Sequence, residues 1–119
     1  MYDFTYHRAG SLDAAKAAFQ AADDGAYMAG GMTLLPTLKQ RLARPSDVID
    51  LAGVGDLTGV ARDGDALVIK AMTTHAAVAA SDVVTGAIPA LAALAGRIGD
   101  PHVRNRGTIA GAIANADPA

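Results

Sequence analysis

The sequence predicts an α+β chain: a small parallel α/β part, then the start of an antiparallel part. Three observations predict it. Over residues 11–51 the apolar pattern runs helix, strand, glycine turn, helix, strand, the order of a βαβ unit with a preceding helix. After Gly53 two short strand candidates follow, joined by Arg62-Asp63-Gly64-Asp65, a hairpin bend with Asp-Gly at its centre. Beyond Thr73 short alanine-rich helical runs take over.

Ser11 reads as an N-cap, and Leu12, Ala15, Phe19 and Ala22 make one apolar stripe at helical spacing. Asp23-Asp24-Gly25 breaks that helix, and Ala26 to Ala29 is a short strand that runs into Gly30-Gly31. From Thr33 a second helix is expected through Arg44: Leu34, Leu38 and Leu42 recur every fourth residue, Pro36 suits a first turn, Lys39, Arg41 and Arg44 lie toward the C-terminal end, and Pro45 stops it. Val48 to Leu51 is the next strand, and the boundary falls near Gly53 to Asp56, dividing the chain into 1–55 and 56–119. The hairpin strands are expected at Leu57–Ala61 and Ala66–Met72. Short helices follow from Thr74 to Ala80, from Ser81 or Asp82 onward, and from Pro89 to Ile98, the last with Ile88, Leu91, Ala95 and Ile98 on one side. Gly99-Asp100-Pro101 stops the last of these, and RNRGTIAGAIANADPA at 104–119 reads as a glycine-bearing loop opening a short apolar helix.

Composition narrows the function classes. A net charge of −2 offers no electrostatic case for nucleic acid or anionic membrane. The absence of cysteine removes disulfides, thiol catalysis and any cysteine-ligated cluster or zinc site from this chain. No apolar run approaches the ~18 residues of a membrane span, and the start MYDFTYHRAG lacks the regions of a signal peptide, so a cytoplasmic protein is expected. His7, His75 and His102 show no ligand spacing, so no metal site is expected. With three serines, no Gly-x-Ser-x-Gly elbow and no Walker lysine, no self-contained hydrolase site is present.

Two stretches carry binding chemistry. In Ala29-Gly30-Gly31-Met32-Thr33-Leu34 a strand ends in two glycines and opens onto a helix, which leaves backbone N–H groups at the positive end of the helix dipole with no Cβ to hold an anion off. A tight strand-to-helix turn without a ligand reads the same way. Thr108-Ile109-Ala110-Gly111-Ala112, after Arg104, Arg106 and Gly107, again permits close approach of backbone to a ligand, and equally fits a plain turn into a last element. Gly53-Val54-Gly55-Asp56-Leu57-Thr58-Gly59 misses the dinucleotide fingerprint, because its last glycine comes one residue late and a hairpin rather than a helix follows.

Taken together, AGGMTLLPTLKQRLARPSDVIDLAGVGDLTGV, IKAMTTHAAVAASDVV and IGDPHVRNRGTIAGAIANADPA cover essentially the whole chain. They resemble the N-terminal part of the FAD-binding medium subunit of molybdenum hydroxylases, the carbon monoxide dehydrogenase and xanthine dehydrogenase family. The resemblance implies a PCMH-type, vanillyl-alcohol-oxidase-like FAD domain, truncated in its second subdomain. It places Ala29, Gly30, Gly31, Met32 and Thr33 on the FAD pyrophosphate, Thr108, Ile109, Ala110, Gly111 and Ala112 in a second FAD loop, Thr73 and Thr74 in a polar lining, and Leu34 and Asp117 among the cofactor contacts. No side chain is implied as catalytic. The family's second loop usually reads Thr-Ile-Gly-Gly followed by Asn or Ser. Ala110 and Ala112 therefore imply weaker FAD binding: a positive φ at 110 would strain alanine, and a polar side chain is lost at 112. The family's partners are a molybdenum-cofactor large subunit and a small subunit with two [2Fe-2S] clusters, from which FAD passes electrons to an acceptor. Family members run well over a hundred residues longer, so a fragment or split product is expected. A non-catalytic binding or interaction module is the alternative.

Overall fold

The computed structural model describes residues 1–116. The chain forms two compact units, Met1–Gly55 and Asp56–Ala119.

The first unit runs β1 (Thr5–Arg8), α1 (Leu12–Ala21), β2 (Gly25–Met28), α2 (Leu34–Lys39) and β3 (Asp47–Asp50). The strands make one parallel sheet in the order β1-β3-β2. Parallel sheets are covered on both faces, and β3 shows it: Val48 and Ile49 are both fully buried although successive strand residues point to opposite faces. Val48 packs with Met28 and Leu38, flanked by Leu34 and Leu35 of α2. On the other face a Cβ added to Gly25 would come within 3.1 Å of Phe19 Cδ2 and 3.4 Å of Ile49 Cδ1, which places α1 over Ile49. Ser11 caps α1, its Oγ accepting the Ala14 N–H at 3.1 Å. Leu12, expected in the apolar stripe of α1, is exposed.

Two features of this unit differ from expectation. The sequence reading starts at α1, yet β1 precedes it. Thr-Tyr-His-Arg has no apolar run and three of its four residues are exposed, so periodicity carries no strand signal. Pairing makes it a strand: Thr5 to Arg8 lie in register with Asp47 to Asp50, the Tyr6 hydroxyl donates to Asp50 Oδ2 at 2.6 Å, and His7 Nε2 sits 2.6 Å from Asp47 Oδ1. Gly53 seals this edge, since a Cβ there would stand 2.4 Å from the Ala9 carbonyl oxygen.

Helix α2 also stops at Lys39 instead of reaching Arg44. Arg41 N–H bonds to Leu38 C=O and Leu42 N–H to Thr37 C=O, both at 3.0 Å, with Arg41 at φ 59. That is a Schellman closure with arginine at the left-handed position where glycine is usual. It turns Leu42 out of the expected stripe to 73% exposure. The guanidinium carbons of Arg41 and Arg44 lie 5.3 and 5.1 Å from the Tyr2 ring centroid.

A 3-10 turn, Gly55–Leu57, precedes the antiparallel hairpin β4 (Val60–Asp63) and β5 (Ala66–Ile69). The bend is Gly64-Asp65, with Gly64 at φ 56. β4 starts only after Gly59, at φ 139, and runs past its expected end at Ala61 to Asp63, while β5 stops at Ile69 instead of Met72. Five short helices follow: α3 (His75–Ala80), α4 (Asp82–Ala87), α5 (Pro89–Ala95), α6 (Pro101–Arg106) and α7 (Ile109–Ala114). Val78, Val84, Ala92 and Ala95 form their core, with Val60, Leu67 and Ile69 of the hairpin packed on it. Helix α6 was not expected. Asp100-Pro101, read as a stop, also starts a helix: the Asp100 carboxylate accepts the Val103 N–H at 2.9 Å, and Pro101 occupies the first turn.

Candidate functional site

The glycine turn follows β2. Gly31 adopts φ 79, a region in which an L side chain is strained, and a Cβ would also press on Leu35 Cδ1 at 3.1 Å. The Gly31 carbonyl accepts from Leu35 N–H at 3.0 Å, which fixes the turn to the first residues of α2. Thr33 makes no side-chain cap, while its carbonyl takes both Thr37 N–H and Thr37 Oγ1. Among the described residues the N–H groups of Gly31, Met32, Thr33 and Leu34 have no intrachain acceptor. Consecutive free N–H groups after a left-handed residue form an anion-binding concavity.

The second stretch is built on a different device. Thr74 and Thr108 face each other in an isolated antiparallel bridge, flanked by His75 N–H to Gly107 C=O at 3.0 Å and Ile109 N–H to Thr73 C=O at 3.2 Å. Each bridged threonine then caps the helix after it: Thr74 Oγ1 accepts Ala77 N–H at 3.2 Å for α3, and Thr108 Oγ1 accepts Gly111 N–H at 3.1 Å for α7. Two helices therefore start side by side from one bridge. Of the α7 start, the Ala110 N–H is left without an acceptor among the described residues. Gly107 allows the close approach, because a Cβ there would meet His75 Cδ2 and the Val103 carbonyl at 3.1 Å.

This geometry corrects the expectation of strain at Ala110. Ala110 and Ala112 lie inside α7, and neither has a positive φ. Alanine is the best helix former, so it costs nothing here. Ala112 lines an open apolar pocket of about 210 Å³ with Leu94, Ile98, Ile113 and the His75 ring. A polar side chain at 112 would enter that apolar lining.

The threonines expected as polar lining have internal duties. Thr73 is 1% exposed, and its hydroxyl accepts the Gly59 N–H and donates to the Gly59 carbonyl, both at 3.0 Å. The Thr74 hydroxyl is the α3 cap. Sequence reasoning missed the capping roles of Thr74 and Thr108, although each stands directly before a run of small helix-forming residues, a recognisable signal. It had no signal for the Thr73–Gly59 pair. Asp117 lies outside the described residues.

Neither loop carries a titratable side chain, so the arrangement binds and orients rather than moving protons. Among the described residues no group of three or more His, Cys, Asp or Glu is placed to hold a metal ion. His7 pairs instead with Asp47, whose pKa is held below 3.8 by the Ser46 hydroxyl bond and then by His7. A run of free N–H groups like that of the first loop suits phosphate oxygens.

The family described as "FAD binding domain in molybdopterin dehydrogenase" matches residues 2–119. The chain is 40% identical over 116 residues to the carbon monoxide dehydrogenase medium chain of Afipia carboxidovorans, covering 97% of this chain and 40% of that one. It is 37% identical over 117 residues to the glyceraldehyde dehydrogenase medium chain of Sulfolobus acidocaldarius, covering 98% and 42%. Among solved structures, reconstituted CO dehydrogenase from Oligotropha carboxidovorans superposes with a TM-score of 0.93 at 39% identity, over 98% of this chain and 41% of that one. Quinoline 2-oxidoreductase from Pseudomonas putida 86 gives 0.93 at 33% identity, over 98% and 41%. The chain thus spans about two-fifths of the length of these relatives. With the family model matching residues 2–119, and a parallel sheet followed by an antiparallel hairpin, the chain belongs to the family of FAD-binding domains of molybdopterin dehydrogenases.

Proposed function

We propose that this chain is the FAD-holding part of the medium subunit of a molybdenum-containing hydroxylase or dehydrogenase. The observation that carries this is the run of free N–H groups at Gly31 to Leu34 behind a left-handed glycine, in a chain of this family. Gly31, Met32, Thr33 and Leu34 donate to the pyrophosphate, with Ala29 and Gly30 leading the chain into the turn. Ile109 to Ala112 offer the Ala110 N–H and small side chains to another part of the cofactor, held in place by Thr108. Thr73 and Thr74 support the second loop. Bound FAD supplies redox chemistry: single-electron uptake and two-electron release. The residues here bind and orient it.

The electrons come from [2Fe-2S] clusters on a small subunit, after substrate oxidation in a molybdenum-cofactor subunit, and leave to a separate acceptor. With no cysteine in its 119 residues, this chain leaves thiolate ligation of the clusters to a partner. The assembly is cytoplasmic; no helix among the described residues is long and apolar enough to cross a membrane.

FAD titration of the purified chain tests the reading, followed by flavin fluorescence quenching and by ultrafiltration of the yellow complex. Saturable one-to-one binding is expected. A folded chain that stays colourless favours the second reading, a non-catalytic interaction module.

A further inference from the structure

We propose that Thr73 is a positioning residue for the second loop: its buried hydroxyl sets where α7 begins, and so how tightly the loop holds FAD, without touching the cofactor. This rests on the function proposed above.

Gly59, at φ 139, keeps its carbonyl in the ladder, where it accepts the Lys70 N–H at 2.9 Å, while its N–H has no backbone acceptor among the described residues. The Thr73 hydroxyl meets both of them, accepting the N–H and donating to the carbonyl at 3.0 Å each. Thr73 N–H donates to the Lys70 carbonyl at 3.0 Å, and the Thr73 carbonyl accepts the Ile109 N–H at 3.2 Å. All the polar groups of one residue, 1% exposed, thus tie the base of the hairpin to the first residue of α7. The next N–H along α7 is that of Ala110, which has no acceptor among the described residues. Valine has the shape of threonine but leaves the half-buried Gly59 N–H without its acceptor. Relief of that vacancy moves residue 73 and, through its carbonyl, the α7 start.

The test combines FAD titration with amide exchange followed by NMR. Thr73→Val is expected to weaken FAD binding about tenfold and to speed exchange at Ile109, with both restored in Thr73→Ser. Val84→Ala, in the core of the same unit and outside the loop, serves as a control that lowers Tm with FAD affinity unchanged. A folded Thr73→Val with unaltered FAD affinity and unaltered Ile109 exchange overturns the proposal, and so does a loss of affinity that Val84→Ala reproduces at equal Tm. If Thr73→Val does not fold, the unsubstituted chain decides. Gly59 and Ile109 amides are expected to exchange together and several-fold more slowly than Ala110; Ile109 exchanging as fast as Ala110 overturns the latch. Absence of FAD binding by the unsubstituted chain overturns the proposed function, while the exchange pattern still reports on the latch by itself.

Discussion

The glycine turn and the Thr108 loop, for which we propose similar work, are built from opposite materials. The first relies on a backbone conformation that only glycine adopts comfortably, and it leaves four consecutive N–H groups open. The second relies on hydroxyl caps and a two-residue bridge, closes nearly all its donors, and contains only right-handed helix where glycine might be expected. Equal-looking small residues therefore have unequal value. Alanine is ruinous at 31 and at home at 110.

Substitution at each place sharpens this contrast. The largest effect is expected for Gly31→Ala, which forces a left-handed alanine and a Cβ contact at 3.1 Å with Leu35. It should destabilise the first unit by about 1–2 kcal/mol in urea unfolding and remove FAD binding in titration. Ala110→Gly moves toward the family's usual residue yet is expected to lower stability by up to about 1 kcal/mol, because glycine is a poor helix former. FAD affinity should not rise. A tighter complex with this variant or with Ala112→Asn would show that the cofactor draws the second loop out of helix.

The smallest effect compares an acid group in each unit. Asp47 is held below the ordinary value of 3.8 by the Ser46 hydroxyl and then by His7, and Asp100 is held low by the Val103 N–H. A carboxyl lowered on folding stabilises above its unfolded pKa, and that gain disappears as pH falls through the folded value. Both units should therefore lose some stability below pH 3.8, read as a falling urea midpoint. Asp47→Asn and Asp100→Asn should each flatten that fall.

Much of the architecture was legible in the sequence because it is written in local terms. Asp-Gly marks the hairpin, Ser11 marks the α1 cap, and the Gly30-Gly31 pair ahead of Leu34 and Leu38 marks the turn into α2. What was not legible depends on partners distant in sequence. β1 exists by pairing with a strand 42 positions later, Thr5 with Asp47, and the Thr73 hydroxyl serves a residue 14 positions earlier. The end of α2 was misplaced because arginine at 41 occupies a position that usually announces itself as glycine. The worry over Ala110 had another origin: family likeness carries over residue identities, whereas strain depends on a φ angle that only the fold reveals. Helix α6 was readable, since Asp-Pro both ends one element and caps the next.

The strand order β1-β3-β2 has a consequence for how the first unit is made. β1 and β2 do not pair with each other; each pairs with β3, the last of the three to leave the ribosome. No ladder bond of this sheet can form until Asp50 has emerged. The nascent segment must then wait with both edge strands unpaired, its helices marginal at this length, and close in one step around the incoming central strand.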